Sequence, residues 1–344
     1  MKVALDAQLT VGTATGIGEY VRGLAAALRR RGLAVVELRE AGLDPWRFDR
    51  RVIWDQVLLP MRARASGATL LHCAGGTVPW ATRLPVVVTV HDVAWLEAQA
   101  HARAYARYYF GKFSLARYRR AAQIVVDSMF SRNALLRLLD GFDERRVHVV
   151  YPGVAEDFAA LVRRAGDRRT ILCVGTIERR KNLEVVIRAL PQLRGARLLA
   201  VGPHTPYAAQ CAALARSLGV ADRVEMPGYV TREALLSLYA ECAVVAVPSR
   251  YEGFGYAAAQ ALCVGVPCVV SDQSSLPEVV AGDAPIVGVD DVDAWVAALG
   301  ASLRGDDDQR AAQLRAGAIA RFSWEAGAAG METIYAAAAQ SKRQ

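Results

Sequence analysis

Three short stretches hold the residues whose types and spacing suit chemistry. In the first, Gly175-Thr176-Ile177-Glu178-Arg179-Arg180-Lys181-Asn182 follows an apolar run (170–174) and precedes a helical pattern. Strand, glycine, basic loop and helix start together hold a diphosphate, because cations and free helix N–H groups face the same anion. Arg180 and Lys181 are the phosphate candidates; by itself a basic loop reads equally as solvated surface. In the second, Glu252-Gly253-Phe254-Gly255 lies between a buried strand pattern (244–247, closed by Pro248 and Ser249) and a helix pattern (256–264). Glu252 stands just before the turn, Tyr256 opens the helix, and Gln260 falls in its second turn. Two glycines in a loop are a weak signal alone, and Glu252 could be an ordinary solvated acid. The third is His91-Asp92, at the carboxyl end of the strand pattern 86–90, the edge where open parallel sheets bind ligands. A purely structural histidine is the alternative, with Asp92 orienting it or forming a cap.

These residues need elements to position them. Strand patterns at 2–6, 34–38, 69–73, 86–90, 124–126 and 147–150 alternate with helical stretches, and those at 170–174, 197–201, 224–226, 244–247, 268–271 and 284–287 do so again. Short buried strands alternating with helices predict parallel sheets covered on both faces, here two Rossmann-like domains. A chain of 344 residues suits two domains. Gly16-Ile17-Gly18 leads into a helix pattern over 19–31, without the third glycine of a dinucleotide fingerprint. The stretch after the second strand, up to about residue 64, has no clear period and reads as a helix with loops, without definite bounds.

Composition narrows the function classes. Residues 1–165 hold 24 Lys/Arg against 15 Asp/Glu, the rest 18 against 19, out of a net charge of +8. A basic half suits an anionic surface or substrate, with a generally Arg-rich composition as the alternative. No nucleic-acid-binding motif accompanies the charge, so nucleic acid is not an expected partner. Residues 103–120 (RAYARYYFGKFSLARYRR) interleave cations with aromatics, as on an anionic membrane surface or as a core helix with wet arginines. Six scattered cysteines without a Cys-x-x-Cys pair read as buried thiols of a reducing compartment. No apolar run suits a membrane span, and MKVALDA reads as a strand, not a signal core. The expected location is the cytoplasm, at the inner face of the membrane if the acceptor is a lipid.

Pro248-Ser249-x-x-Glu252-Gly253-Phe254-Gly255, a small-residue helix, Gly265-x-Pro267 and then SDQSSLPEV (271–279) resemble the donor-binding core of family 4 glycosyltransferases. Gly175-Thr176-x-x-x-Arg180-Lys181-Asn182, Thr89-Val90-His91-Asp92 and Tyr151-Pro152-Gly153-Val154 resemble further motifs of that family. The resemblance implies a retaining enzyme of α/β class and GT-B fold, two Rossmann-like domains facing across a cleft. It implies an acceptor-binding domain over 1–163, a nucleotide-sugar-binding domain over 164–323, and a C-terminal helix (324–344) crossing back to the first. Catalytic roles fall to Glu252, His91 and Lys181. Donor binding falls to Arg180, Lys181, Gly253, Phe254, Gly255, Tyr256 and Gln260, and the acceptor side to Gly16, Gly18, His91 and Asp92.

Two positions depart from the family. Gln260 replaces a second glutamate associated with the ribose hydroxyls, and the lost charge assistance is worth on the order of 1 kcal/mol. Thr176 stands where an arginine is common, leaving Arg180 to supply the second cation. The His-Asp and Gly-Thr-Ile-Glu-x-Arg-Lys-Asn pair is similar to bacterial mannosyltransferases of polysaccharide assembly, which favours GDP-mannose as donor and leaves UDP-sugars open. The implied acceptor is a saccharide or lipid-linked saccharide, with no metal and no other cofactor. A nucleotide-sugar or lipid-binding protein without catalysis, Gln260 marking decay, is the rival from another class.

Overall fold

The computed structural model describes residues 1–12, 16–94, 105, 108–164 and 168–340. The chain divides into two units, Met1–Ala155 joined by the chain from Phe322 onward, and Glu156–Arg321. The first division falls ahead of the expected 163/164. The helix Glu156–Ala160 buries Phe158 edge-on against Tyr239, ring centroids 5.1 Å apart, and so belongs to the second unit.

The first unit holds β1 (Lys2–Asp6), β2 (Ala34–Leu38), β3 (Leu70–Cys73), β4 (Val86–Val90), β5 (Gln123–Val126) and β6 (Val147–Val149). They form one parallel sheet in the order β2-β1-β3-β4-β5-β6. The period of two is visible in β4: Val86, Val88 and Val90 enter one apolar core, Val87 the other. The helix Trp324–Gln340 covers the second of these cores, burying Trp324, Ala328, Met331, Ile334, Tyr335 and Ala338 with Tyr20, Leu24 and Leu28 of the helix Gly16–Arg30. Close approach of these two helices depends on Gly23, where a Cβ would fall inside the Trp324 indole. Arg30–Glu325 (3.0 Å) and Arg31–Glu332 (2.8 Å) pair along the rim.

The second unit holds β7 (Thr170–Val174), β8 (Arg197–Val201), β9 (Val224–Gly228), β10 (Val244–Val247), β11 (Cys268–Ser271) and β12 (Ile286–Val287). Its order is β12-β11-β10-β7-β8-β9, again all parallel. In each sheet the strand order reverses once beside the first strand, between β1 and β3 and between β7 and β10. The carboxyl ends of the strands flanking such a reversal form a crevice for ligands.

The stretch without a clear period is a helix, Phe48–Ile53, running through a π-helical turn, Trp54–Leu58, into Leu59–Ala65. Of 103–120, residues 103, 104, 106 and 107 lie outside the described residues. The π-helical turn Tyr108–Phe113 and the helix Ser114–Tyr118 bury Tyr109, Arg117 and Tyr118, while Tyr105 and Tyr108 are exposed. Among the described residues no helix is long and apolar enough to cross a membrane, and all six cysteines are buried free thiols.

Candidate active site

In the second unit, the loops after β7 and β10, adjacent strands at the reversal, bring Arg180, Lys181 and Glu252 into direct contact. Lys181 Nζ lies 2.6 Å from Glu252 Oε1, and Arg180 Nη1 donates to Glu252 Oε2 at 3.2 Å. The Lys181 stem passes over Gly175, whose φ of +132° and lack of a side chain leave room: a Cβ there would sit 3.1 Å from Lys181 Cε. Arg180 also donates to the carbonyl of Tyr251 (2.8 Å) and to Glu178 Oε1 (2.8 Å), tying the basic loop to the turn.

The turn itself is strapped by serines of the segment after β11. Ser274 Oγ accepts from the Glu252 N–H (2.8 Å), and Ser275 Oγ donates to the carbonyls of Glu252 (2.9 Å) and Phe254 (2.8 Å). Ser249 Oγ donates to Glu252 Oε1 at 2.7 Å. Gly255, at φ +100°, is the N-cap of the helix Tyr256–Val264, and a Cβ there would meet Leu276 Cδ2 at 2.7 Å. Burial alone would raise the Glu252 carboxyl. Lys181 and then Arg180 outweigh it and hold the group below the usual carboxylate range, so it is ionised at neutral pH.

Gly253 and Phe254 are buried in the turn, and Tyr256 stands edge-on to Phe254, centroids 5.4 Å apart. Gln260 is engaged elsewhere: its Oε1 accepts from the buried Tyr239 hydroxyl at 2.9 Å, while Nε2 has no partner among the described residues. Asp-x-Asp spacings do occur, at 291–293 and 306–308. There Asp291 Oδ1 caps a helix by accepting from the Ala294 N–H (3.0 Å), and Asp308 pairs with Arg163 (2.7 Å).

In the first unit, His91 follows β4. Its Nδ1 lies 2.7 Å from Asp127 Oδ2 and its Nε2 2.9 Å from the Ala74 carbonyl. Both partners accept, so the ring donates from both nitrogens and is positively charged. Burial pulls its pKa down, but Asp127 outweighs this and raises it above the ordinary histidine value. Asp127 holds the ring directly, while Asp92, expected either to orient His91 or to form a cap, accepts from the Ala94 N–H through Oδ1 at 3.1 Å. Gly16 and Gly18 lie in the first turn of the helix Gly16–Arg30, which starts three residues before the expected 19. Tyr20 of that helix stands edge-on to His91, centroids 4.9 Å apart. Behind them runs a buried chain: Tyr20 and Thr89 hydroxyls 3.1 Å apart, Thr89 to His72 Nε2 2.8 Å, His72 Nδ1 to Tyr335 2.8 Å. Burial pushes His72 down to about 3, so it is neutral there.

Sequence reasoning did not single out Asp6, Arg51, Asp55 or Asp127. Asp6, at the end of β1, accepts from Trp54 Nε1 at 2.9 Å, and Arg51 pairs with Asp55 at 2.9 Å. Burial drives the Asp55 carboxyl up to about 6 against the pull of Arg51. The signal for Asp6 and Asp127 was available, since both are acids at the carboxyl end of a buried strand.

Residues 156–319 match the family model described as Glycosyl transferases group 1, and 14–158 match Glycosyltransferase Family 4. The chain belongs to the family 4 glycosyltransferases. A D-inositol 3-phosphate glycosyltransferase from Xylanimonas cellulosilytica is 39% identical over 232 residues, 60% of this chain and 55% of the relative. The protein of the same description from Mycolicibacterium smegmatis is 34% identical over 221 residues, 59% and 50% of the two chains. The chain thus spans about half the length of the curated relatives it matches. Its fold is that of the GT-B glycosyltransferases among its structural neighbours. A sucrose-phosphate synthase from Thermosynechococcus elongatus superposes with a TM-score of 0.75 at 22% identity, covering 97% of this chain and 98% of its own. Anabaena HepE, in complex with UDP and glucose, gives 0.72 at 16%, covering 98% and 99%.

Proposed function

We propose that this chain transfers a hexose from a nucleotide diphosphate sugar to a hydroxyl acceptor, with retention at the anomeric carbon. The observation that carries the reading is the contact of Lys181 and Arg180 with Glu252 at the strand reversal of the second unit. The donor diphosphate binds to Arg180, Lys181 and the helix start after Gly255. As the anomeric C–O bond breaks, negative charge gathers on the departing diphosphate, and these cations and N–H groups stabilise it. Glu252, ionised and held by Ser249, fixes the sugar hydroxyls beside the developing oxocarbenium ion. Gln260 turns Nε2 toward the ribose diol while Oε1 stays on Tyr239. Tyr256 and Phe254 shape the turn that the donor approaches.

The acceptor is presented from the carboxyl edge of the first unit, along Gly16, Gly18, His91 and Asp92. Both His91 nitrogens carry protons, so it serves as a fixed cation and not as the base. The acceptor proton passes to a diphosphate oxygen as the new C–O bond forms, and neither a metal nor another cofactor enters the reading. Mannose from GDP-mannose is the favoured donor on motif grounds, with a saccharide or lipid-linked saccharide as acceptor at the cytoplasmic membrane face. The relatives' description adds a phosphorylated polyol as an acceptor to test. A thermal-shift panel of GDP, UDP and ADP with their sugars tests the reading. Stabilisation by one base selects the donor class; no shift with any of them would favour a protein without a donor site.

A further inference from the structure

The first unit carries a second basic site at the opposite edge of its sheet from His91. The starts of β4 (Val86) and β5 (Gln123) border a cavity of ≈ 560 Å³ lined by Trp80, Arg83, Arg117, Arg120 and Arg146 and by no carboxylate. Among the described residues, none of the four arginines has an acid within ion-pair distance. Asp143, which senses Arg146, is itself paired with Arg145 at 3.0 Å.

Arg117 is only 5% exposed. Its Nη2 donates to the carbonyls of Pro79 (2.5 Å) and Trp80 (2.7 Å), and its Nε is buried without a partner. Two neutral carbonyls do not compensate a buried guanidinium charge. Arg120 makes the position costlier, since it shares the Trp80 ring, 6.0 Å from its centroid against 5.0 Å for Arg117. Burial and Arg120 both draw the Arg117 pKa below its ordinary value. A site that gathers four cations around an orphaned N–H is complementary to an anion with several oxygens. Guanidinium forks match phosphate oxygens in pairs. Trp80, 62% exposed and lining the cavity, offers apolar surface to the organic part of an ester.

We propose that this cavity binds a phosphate ester, separately from the diphosphate site of the second unit. The phosphate is carried either by a soluble compound or by a lipid headgroup, and the two are separable by experiment. Inorganic pyrophosphate, and phosphatidylcholine vesicles with and without phosphatidylglycerol, are titrated into the full chain. The same titrations are run on Lys181→Ala, which removes a cation of the second-unit site, and on the Arg83→Gln/Arg120→Gln double variant. Both of the latter side chains are exposed, so the double variant keeps its fold where Arg117→Gln would loosen the Pro79–Trp80 turn. The expected result is binding of at least one probe that survives Lys181→Ala and weakens at least about tenfold in the double variant at unchanged thermal midpoint. Weakening confined to pyrophosphate identifies a soluble ester, and weakening confined to vesicles with phosphatidylglycerol identifies a headgroup. Equal binding by wild type and double variant, or no binding of either probe by wild type, overturns the proposal.

Discussion

Glu252 is one acid held between two cations, and its charge is what the proposed chemistry uses. Glu252→Gln keeps the shape and an acceptor for Ser249, but leaves the developing cation of the sugar unopposed. Turnover is expected to fall at least a hundredfold, ~2.7 kcal/mol of barrier, with the far-ultraviolet circular dichroism unchanged. Turnover near wild type would take Glu252 out of the mechanism. His91 makes a separate, thermodynamic prediction. Its folded pKa is raised by Asp127, so the stability it contributes is fully present below about 6.5 and is lost as pH rises through the folded value. Asp127→Asn removes that contribution. The stability gap between wild type and Asp127→Asn, from urea unfolding, is therefore expected to be widest near pH 6 and to narrow toward pH 9. The comparison cancels Asp55, whose raised carboxyl affects both proteins alike. A gap independent of pH would mean that His91 is not charged in the fold.

Among the elements, the contact of the helix Trp324–Gln340 with the helix Gly16–Arg30 depends on the lack of a side chain at Gly23. Gly23 and Gly153 both face the Trp324 indole with no room for a methyl group. Gly23→Ala is expected to destabilise the first unit by about 1–3 kcal/mol, read from the urea midpoint, through overpacking. An unchanged midpoint would show that the helix Trp324–Gln340 shifts freely on its neighbour. The elements were also where sequence reading succeeded and failed for visible reasons. Runs such as Val86–Val90, buried on both faces, are legible because a five-residue run of β-branched side chains is too short for a helix and suits a parallel strand. The helix through Phe48–Ile53 was legible as a helix but not in its bounds. Its inner face carries Arg51 and Asp55, a buried ion pair that breaks the apolar period from which helices are recognised.

At the scale of the molecule, both units place their candidate residues after the carboxyl ends of strands, in the second unit the two that flank the reversal of strand order and in the first β4, one strand beyond it, for His91 and Asp92. Motif and position made Glu252, Lys181, Arg180 and His91 readable. The groups that set them in place were not, because Ser274 and Asp127 meet them only across segments distant in sequence, and Ser249, three residues before Glu252, carries no sign in the sequence of its bond to that carboxylate. The uneven charge has a structural counterpart as well, since the arginines around Trp80 belong to the basic half. The central claim is that Lys181 holds the diphosphate of the donor. Calorimetric titration of the nucleoside diphosphate chosen by the thermal-shift panel, into wild type and Lys181→Ala, tests it directly. Loss of a charge-assisted contact predicts a Kd at least about tenfold weaker in the variant; an unchanged Kd would contradict the account.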